Sequence, residues 1–337
     1  MTTYDAGMAV PDWPTTYGYN MFLYPISTWV SGPWDLFIEH GHRLLGSLAG
    51  LITIALNVAI WRYDNRPWMR TAGAIALVLV ISQGLLGGMR VRMNSTDFAR
   101  AHGCTGPLFF ATCVSICVMT SRFWRTSQSA FDKWGSLDRK WVLNGWVVAA
   151  LAYLQLVLGA HLRHPGVDWS PMQFRGFVVF HVVLAIVLLV MVCRVAAVAM
   201  KLANPLRRPA MALLALVVAQ VLLGVATWRA KYGWPTFLPL GAESSADKPF
   251  EITVRNLLAG QTVLSESMTQ ALTVTGHVAV GSLILATAVY YASRLSRAYA
   301  CSVVSETQKS RVANESLPQD SLPKSTPSLL APVGGSA

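Results

Sequence analysis

Seven stretches of this chain run for 18 residues or more without an Asp, Glu, Lys or Arg: 44–61, 71–89, 101–121, 141–162, 176–193, 209–228 and 267–293. As a helix, each is long enough to cross a hydrocarbon core ~30 Å thick. In that medium every backbone N–H and C=O must be satisfied internally, and a helix does this within one segment. The chain of 337 residues is 53% hydrophobic and 13% charged, against roughly 25% charged in ordinary soluble domains. An all-α integral membrane protein with seven spans is expected.

A net charge of +11 would suit a nucleic-acid partner, but the placement of the charge argues for a lipid bilayer instead. The 62–70, 122–140 and 194–208 loops hold twelve Lys and Arg in 43 residues. The opposite side (1–38, 90–100, 163–175 and 229–266) holds nine in 100. Cytoplasmic loops carry the Lys/Arg excess, so the N-terminus is expected outside. After an odd number of helices, the tail with Arg297, Lys309, Arg311 and Lys324 is expected inside.

Cys104, Cys113, Cys117, Cys193 and Cys301 form no CxxC and no pair in the outer loops. Disulfide, zinc-ribbon and iron–sulfur frameworks are therefore poorly supported. Cys113 and Cys117, one turn apart, suit packing as small apolar residues. Residues 1–36 have neither a basic start nor an apolar h-region, so no cleavable signal peptide is expected. Their four prolines and their tryptophans suit an outer loop with interfacial anchors. From Ser302 onward the chain is rich in Ser and Pro. The last helix is expected to stop near Arg294 to Arg297, leaving 294–337 as a disordered cytoplasmic tail.

A repeat divides the rest. Gln83-Gly-Leu-Leu-Gly87 recurs as Gln155-Leu-Val-Leu-Gly159 and as Gln220-Val-Leu-Leu-Gly224. An arginine follows each copy: Arg90, Arg163 or Arg229. His42 precedes Gln83 by 41 residues, and His181 precedes Gln220 by 39. His102 and His277 open the next helix in each half. Two related bundles are expected, 37–140 and 141–293, the second with a longer outer loop before its last histidine.

His42, His102, His181 and His277 all fall toward one side of the membrane. Ionisable groups at membrane depth mark functional sites by default. Two imidazoles on facing helices are what haem iron needs for axial ligation from both faces. One such pair could be interfacial or merely hydrogen-bonded; a duplicated pair favours two haem sites. Zinc is disfavoured, because the second pair has no carboxylate or thiolate nearby in sequence. His40, His161 and His164 are expected at the surface or as supports of other ligands. The glycines after the glutamines suit either close helix packing or space for a macrocycle. Arg90, Arg163 and Arg229 suit either interfacial anchoring or contacts to propionates. Glu39 lies three residues before His42 and shares its helix face. The matching position before His181 is Val178, so the two sites are expected to do different work. The competing reading of Glu39 is a structural contact with Arg43, of the weak kind formed by exposed pairs.

Glu39-His-Gly-His42-Arg43, the Gln-x-x-x-Gly segments and His102, His181 and His277 together resemble the haem A synthase family of cytochrome oxidase assembly. The likeness runs from about residue 4 to 293. It implies oxidation of the C8 methyl of haem O to the formyl of haem A. It further implies Glu39, His42 and His102 as catalytic residues of a substrate half. His181 and His277 would be ligands of haem b, with Arg90 and Arg229 as contacts to the cofactor or substrate. All four histidines would bind iron. Haem O synthase, oxidase assembly factors and an external electron donor are the implied partners, in a bacterial inner membrane. A non-catalytic di-haem cytochrome b and a haem transporter are the alternative functions. The resemblance implies eight spans, so the first helix of the family pattern is expected to be missing here. Thr2 to Gly7 resembles the loop that follows that helix, which suggests either a start placed too late or a short first bundle. Some family members carry a cysteine pair in an outer loop; this chain does not.

Overall fold

The computed structural model describes residues 8–125, 137–166, 169–202, 204–232 and 267–315. Three expectations therefore lie outside the described residues: the loop character of Thr2 to Gly7, most of the longer loop over 233–266, and the tail beyond 315. The described residues are helical and form no strand, only an isolated bridge between Thr16 and Tyr19.

After a 3-10 turn over Met21–Leu23, the helices are α1 (Ile26–Val30), α2 (Trp34–Tyr63), α3 (Pro67–Met93), α4 (Thr96–Thr120) and α5 (Arg122–Arg125). They continue as α6 (Arg139–Arg163), α7 (Pro171–Ala199), α8 (Asn204–Tyr232) and α9 (Met268–Glu315). Seven of them, α2, α3, α4, α6, α7, α8 and α9, are long and apolar enough to cross a membrane. The protein is a multi-pass all-α membrane protein, and the seven expected spans are found among the described residues.

Local chemistry sets the helix starts. Pro67 and Pro171 sit in the first turn of α3 and α7, where a missing N–H is harmless. Ser170 and Gln173 form a reciprocal capping box on α7. Asp138 caps α6 by accepting the Lys140 N–H at 2.9 Å. Asn94 closes α3 in the left-handed region at φ 44°, which lets α4 start immediately at Thr96.

Helices α6, α7, α8 and α9 pack in a closed ring, each against the next and α9 back against α6. Their core is made of small and branched residues, including Val148, Ala152, Val192, Leu213, Ala288 and Leu295. Gly145 lets α6 approach the backbone of Ala292 on α9. Small residues of this kind allow the van der Waals contact that holds helices together in lipid. Large side chains such as Phe180, Val183, Ile186 and Val190 point outward from α7. That inversion is expected where the solvent is hydrocarbon.

The first half is built differently. Helix α2 packs along α3, α3 along α4, and α4 leans on α9 and α6. In chain order α2, α3 and α4 match α7, α8 and α9. Among the described residues no other spanning helix packs extensively against α2. A small cluster of Ile60, Met69, Ala76 and Ile116 holds one end of this half. The other end is closed by the chain before α2, through Val10, Tyr24 and Leu36.

Helix α9 corrects one expectation. It does not stop near Arg294 but continues to Glu315. Leu295, Ala298 and Cys301 are buried in the core of the second half, so the helix is held by packing well past the apolar window. The helix thus packs in the bundle as far as Ser305 and continues to Glu315, so it does not end at the expected boundary.

Candidate haem-ligand site

The four histidines come together as two pairs. His42 on α2 and His102 on α4 have ring centroids 6.1 Å apart and ring planes at 77°. His181 on α7 and His277 on α9 have centroids 6.4 Å apart and planes at 67°. A metal–imidazole nitrogen bond is ~2 Å, and the ring centre lies roughly 1 Å farther out. Two imidazoles sharing one metal ion therefore have centroids about 6 Å apart, which both pairs match. No group of three or more His, Cys, Asp or Glu able to hold a metal ion occurs among the described residues. Each site offers two imidazoles at this spacing, which suits axial ligation of a macrocycle that supplies its own equatorial nitrogens.

Each Gln-x-x-x-Gly copy lies against one of these histidines. The Nδ1–H of His102 donates to the Gln83 backbone carbonyl at 3.1 Å, since a carbonyl can only accept. That bond makes Nε2 the accepting nitrogen, and the Gln83 side-chain amide donates to it at 3.3 Å, a bond that a ligand on Nε2 would have to displace. The Gln220 amide lies 3.5 Å from His277 Nε2. Gln155 donates instead to the His181 backbone carbonyl at 2.9 Å. The Nδ1 atoms of His181 and His277 and the Oε1 atoms of all three glutamines are buried without a partner among the described residues. Buried polar atoms left over in this way fit a site built for a bound group.

The glycines have a definite reason. A Cβ on Gly87 would stand 3.0 Å from the His102 ring, and one on Gly224 would stand 3.2 Å from the His277 ring. On Gly159 it would stand 3.7 Å from His181, an ordinary contact. In two of the three copies the glycine makes room for an imidazole. The repeat was visible in sequence, but the glutamine half of it was not interpretable there.

The two sites differ in cover. His181 is half-buried, whereas His42 is exposed. The first site is closed from above by residues 8–24. Arg43 Nη1 donates to the carbonyls of Asp12 at 2.7 Å and Thr15 at 2.9 Å. Its Nη2 donates to the Val10 carbonyl at 2.9 Å and to Glu39 Oε1 at 2.6 Å. Glu39 Oε2 accepts the Val10 N–H at 3.0 Å. Asp12 holds the turn at Tyr17 and Gly18 by accepting both N–H groups at 2.8 Å. Gly18 has φ 79°, a conformation that suits glycine. Trp13 lies flat on Gly88, next to the glycine that faces His102.

Two expectations change here. The Glu39–Arg43 contact is not an exposed pair: the side chains are 2% and 8% exposed. His40 is not at the surface but buried, 3.1 Å from the Thr16 hydroxyl and edge-on to Trp29. Both follow from the segment before α2 folding back onto that helix, which no helical periodicity reveals. His161 is half-buried in a stack with Phe177 and Trp169, and its Nδ1–H donates to the Val157 carbonyl at 2.8 Å. His164 is the C-cap residue of α6. Arg90 is near enough to act electrostatically on both His42 and His102. Arg229 is half-buried at the end of α8, past Gly224. All five cysteines are free thiols.

Residues 33–166 match the pattern of the cytochrome oxidase assembly protein family. Curated proteins similar to the chain include "Heme A synthase" of Shouchella clausii, 27% identical over 156 residues, covering 45% of this chain and 48% of the relative. "Heme A synthase" of Geobacillus kaustophilus is 27% identical over 132 residues, 39% of this chain and 41% of the relative. "Heme A synthase" of Symbiobacterium thermophilum is 28% identical over 148 residues, 41% and 46% respectively. The similarity thus spans about half the length of these relatives. No solved structure matches the chain. The likeness to haem A synthases read from the histidine and Gln-x-x-x-Gly motifs is the likeness these relatives carry in their names.

Proposed function

We propose that this protein is a haem A synthase, oxidising the C8 methyl of haem O to a formyl group. The observation that carries the reading is the duplicated histidine pair at haem-ligand spacing, with a carboxylate beside one copy only. The first half, 37–140, takes haem O as substrate, and the second, 141–293, takes haem b as cofactor. A haem b bound there would supply one-electron redox chemistry that no protein side chain offers.

The residues of the chain do the rest. His42 and His102 hold the substrate by its iron, and Arg90 takes a propionate, so the methyl is fixed from two points. The Gln83 carbonyl sets the tautomer of His102, and the Gln83 side-chain amide would turn away from Nε2 when iron binds there. His181 and His277 would hold the haem b, with Gln220 beside His277 and Arg229 as a contact to the cofactor. Glu39 uses one lone pair on each oxygen for Val10 and Arg43, and each oxygen has another to offer. Glu39 is placed to order water or to take a proton during methyl oxidation. The segment over residues 8–24 keeps bulk water from that carboxylate. In the successive oxygenations this reading implies, dioxygen is the oxidant that supplies the oxygen atom, and an external donor supplies the electrons that reduce its second atom to water. Haem O synthase and oxidase assembly factors are the expected neighbours in a bacterial inner membrane, with the N-terminus outside.

Co-expression with a source of haem O, followed by chromatography of the extracted haems, tests this. Haem A and haem O together with haem b support the synthase. Haem b alone would make the protein an electron-transfer cytochrome, and absence of any Soret band would make it a transporter.

A further inference from the structure

A cavity of about 720 Å³ opens where the two halves meet, between α4, α8 and α9. Phe110 and Val114 line it from α4, and Leu283 and Ala286 from α9, with Arg208 and Arg294 at one end. Between Leu283 and Arg294, α9 rises about 16 Å at ~1.5 Å per residue. That is about half of a ~30 Å hydrocarbon core, the depth of one leaflet. His277 lies beyond Leu283 in the other direction, so the cavity and the histidine pairs occupy opposite leaflets.

Among the described residues the charged end has no acidic partner. The Arg294 guanidinium lies 3.8 Å over the Phe123 ring and donates to the Tyr290 hydroxyl. Its Nε is buried without a hydrogen-bond partner among the described residues. Arg208 is exposed. The ion pairs among the described residues use Arg43, Arg66, Arg100 and Lys140, and neither Arg208 nor Arg294. The first turn of α8, which begins at Asn204 beside Arg208, adds the positive end of a helix dipole.

We propose that this cavity binds an anionic phospholipid, its acyl chains along α4 and α9 and its phosphate between Arg208 and Arg294. The apolar wall excludes a soluble phosphate compound, and the two guanidinium groups need an anion at the headgroup level. A helix of another protein seated here would bury both arginines without a partner, at high cost. A zwitterionic lipid would bring an ammonium against the same two cations.

The full chain in nanodiscs, examined by native mass spectrometry and thermal melting, tests the site with phosphatidylglycerol and phosphatidylethanolamine. One phosphatidylglycerol should remain bound and raise the melting temperature, and phosphatidylethanolamine should do neither. Arg208→Gln should weaken retention by about tenfold or more, the worth of one charge-assisted hydrogen bond. Ala212→Trp, at an exposed position on the α8 wall, should block the chains without removing a charge. Far-UV circular dichroism would show that both variants keep their helices. Equal retention of the two lipids overturns the proposal, as does unchanged retention in both variants. Stabilisation by inorganic phosphate alone, to the same extent, would also overturn it, since the site would then recognise an anion and not a lipid.

Discussion

The carboxylate of Glu39 accepts the backbone N–H of Val10 at 3.0 Å, tying α2 to a residue 29 positions earlier in the chain. Arg43, one turn on, holds the Val10 carbonyl and Glu39 at once. Both groups of one backbone unit are thus satisfied by one ion pair, and the pair is buried. The same carboxylate therefore serves the fold and stands in the proposed substrate half, and variants must separate these roles.

Removing Glu39 altogether should destabilise the first half. A lone buried Arg43 costs about 3–5 kcal/mol, so Glu39→Ala should melt well below the wild type in detergent. Glu39→Gln keeps the shape and one of the two accepted hydrogen bonds, its NH2 facing the other donor, so some loss of melting temperature is expected here too. It should insert, bind haem b normally and accumulate haem O or a partly oxidised haem. Near-normal haem A from Glu39→Gln would remove this residue from the chemistry and leave it a structural clasp.

The histidine pairs should fail unequally. His181→Ala and His277→Ala should lose stably bound haem b, because each removes an axial bond. His42→Ala and His102→Ala should retain haem b and lose turnover of haem O. Pyridine haemochrome content and the haem A to haem O ratio read the two effects separately. Equal haem b loss in all four would sink the division between halves.

The glycines give a graded series. Gly224→Ala places a methyl 3.2 Å from the His277 ring and should lower haem b content. Gly87→Ala, at 3.0 Å from the His102 ring, should spare haem b and impair haem A formation. Overpacking of this size costs typically 1–3 kcal/mol. Gly159→Ala, with 3.7 Å to His181, should be tolerated. Equal effects at all three positions would show that helix packing, and not the imidazole, demands glycine.

Asp64 provides a pH test outside the membrane spans. The side-chain hydrogen bonds from Arg66 hold its carboxyl at about 2, and Arg66 also donates to the Met119 carbonyl at the end of α4. The folded value lies below the ordinary ~3.9. The contribution is therefore complete above about pH 4 and disappears as the pH falls through about 2. The melting temperatures of wild type and Asp64→Asn should differ at about pH 5 and converge toward pH 2. A gap that stays constant across that range would show that Asp64 does not link this turn to α4.

Much was legible before any tertiary structure. Uncharged windows of 18 residues or more can only be satisfied as helices in hydrocarbon, so the seven spans followed from composition along the chain. Repetition of Gln-x-x-x-Gly and of histidine spacing placed His42, His102, His181 and His277 in equivalent positions, since related halves fold alike. Other features depended on contacts distant in sequence. The burial of Glu39, Arg43 and His40 comes from Val10, Asp12, Thr15 and Thr16, which belong to a segment with no periodicity to read. The partnership of Gln83 with His102 needed α3 and α4 side by side, and the length of α9 was set by the core around Leu295 and Cys301. Hydrophobic patterning is a one-dimensional property and survives in sequence. The partner of a buried polar group, and the point where packing stops supporting a helix, are properties of three-dimensional contact, and only the tertiary structure decides them.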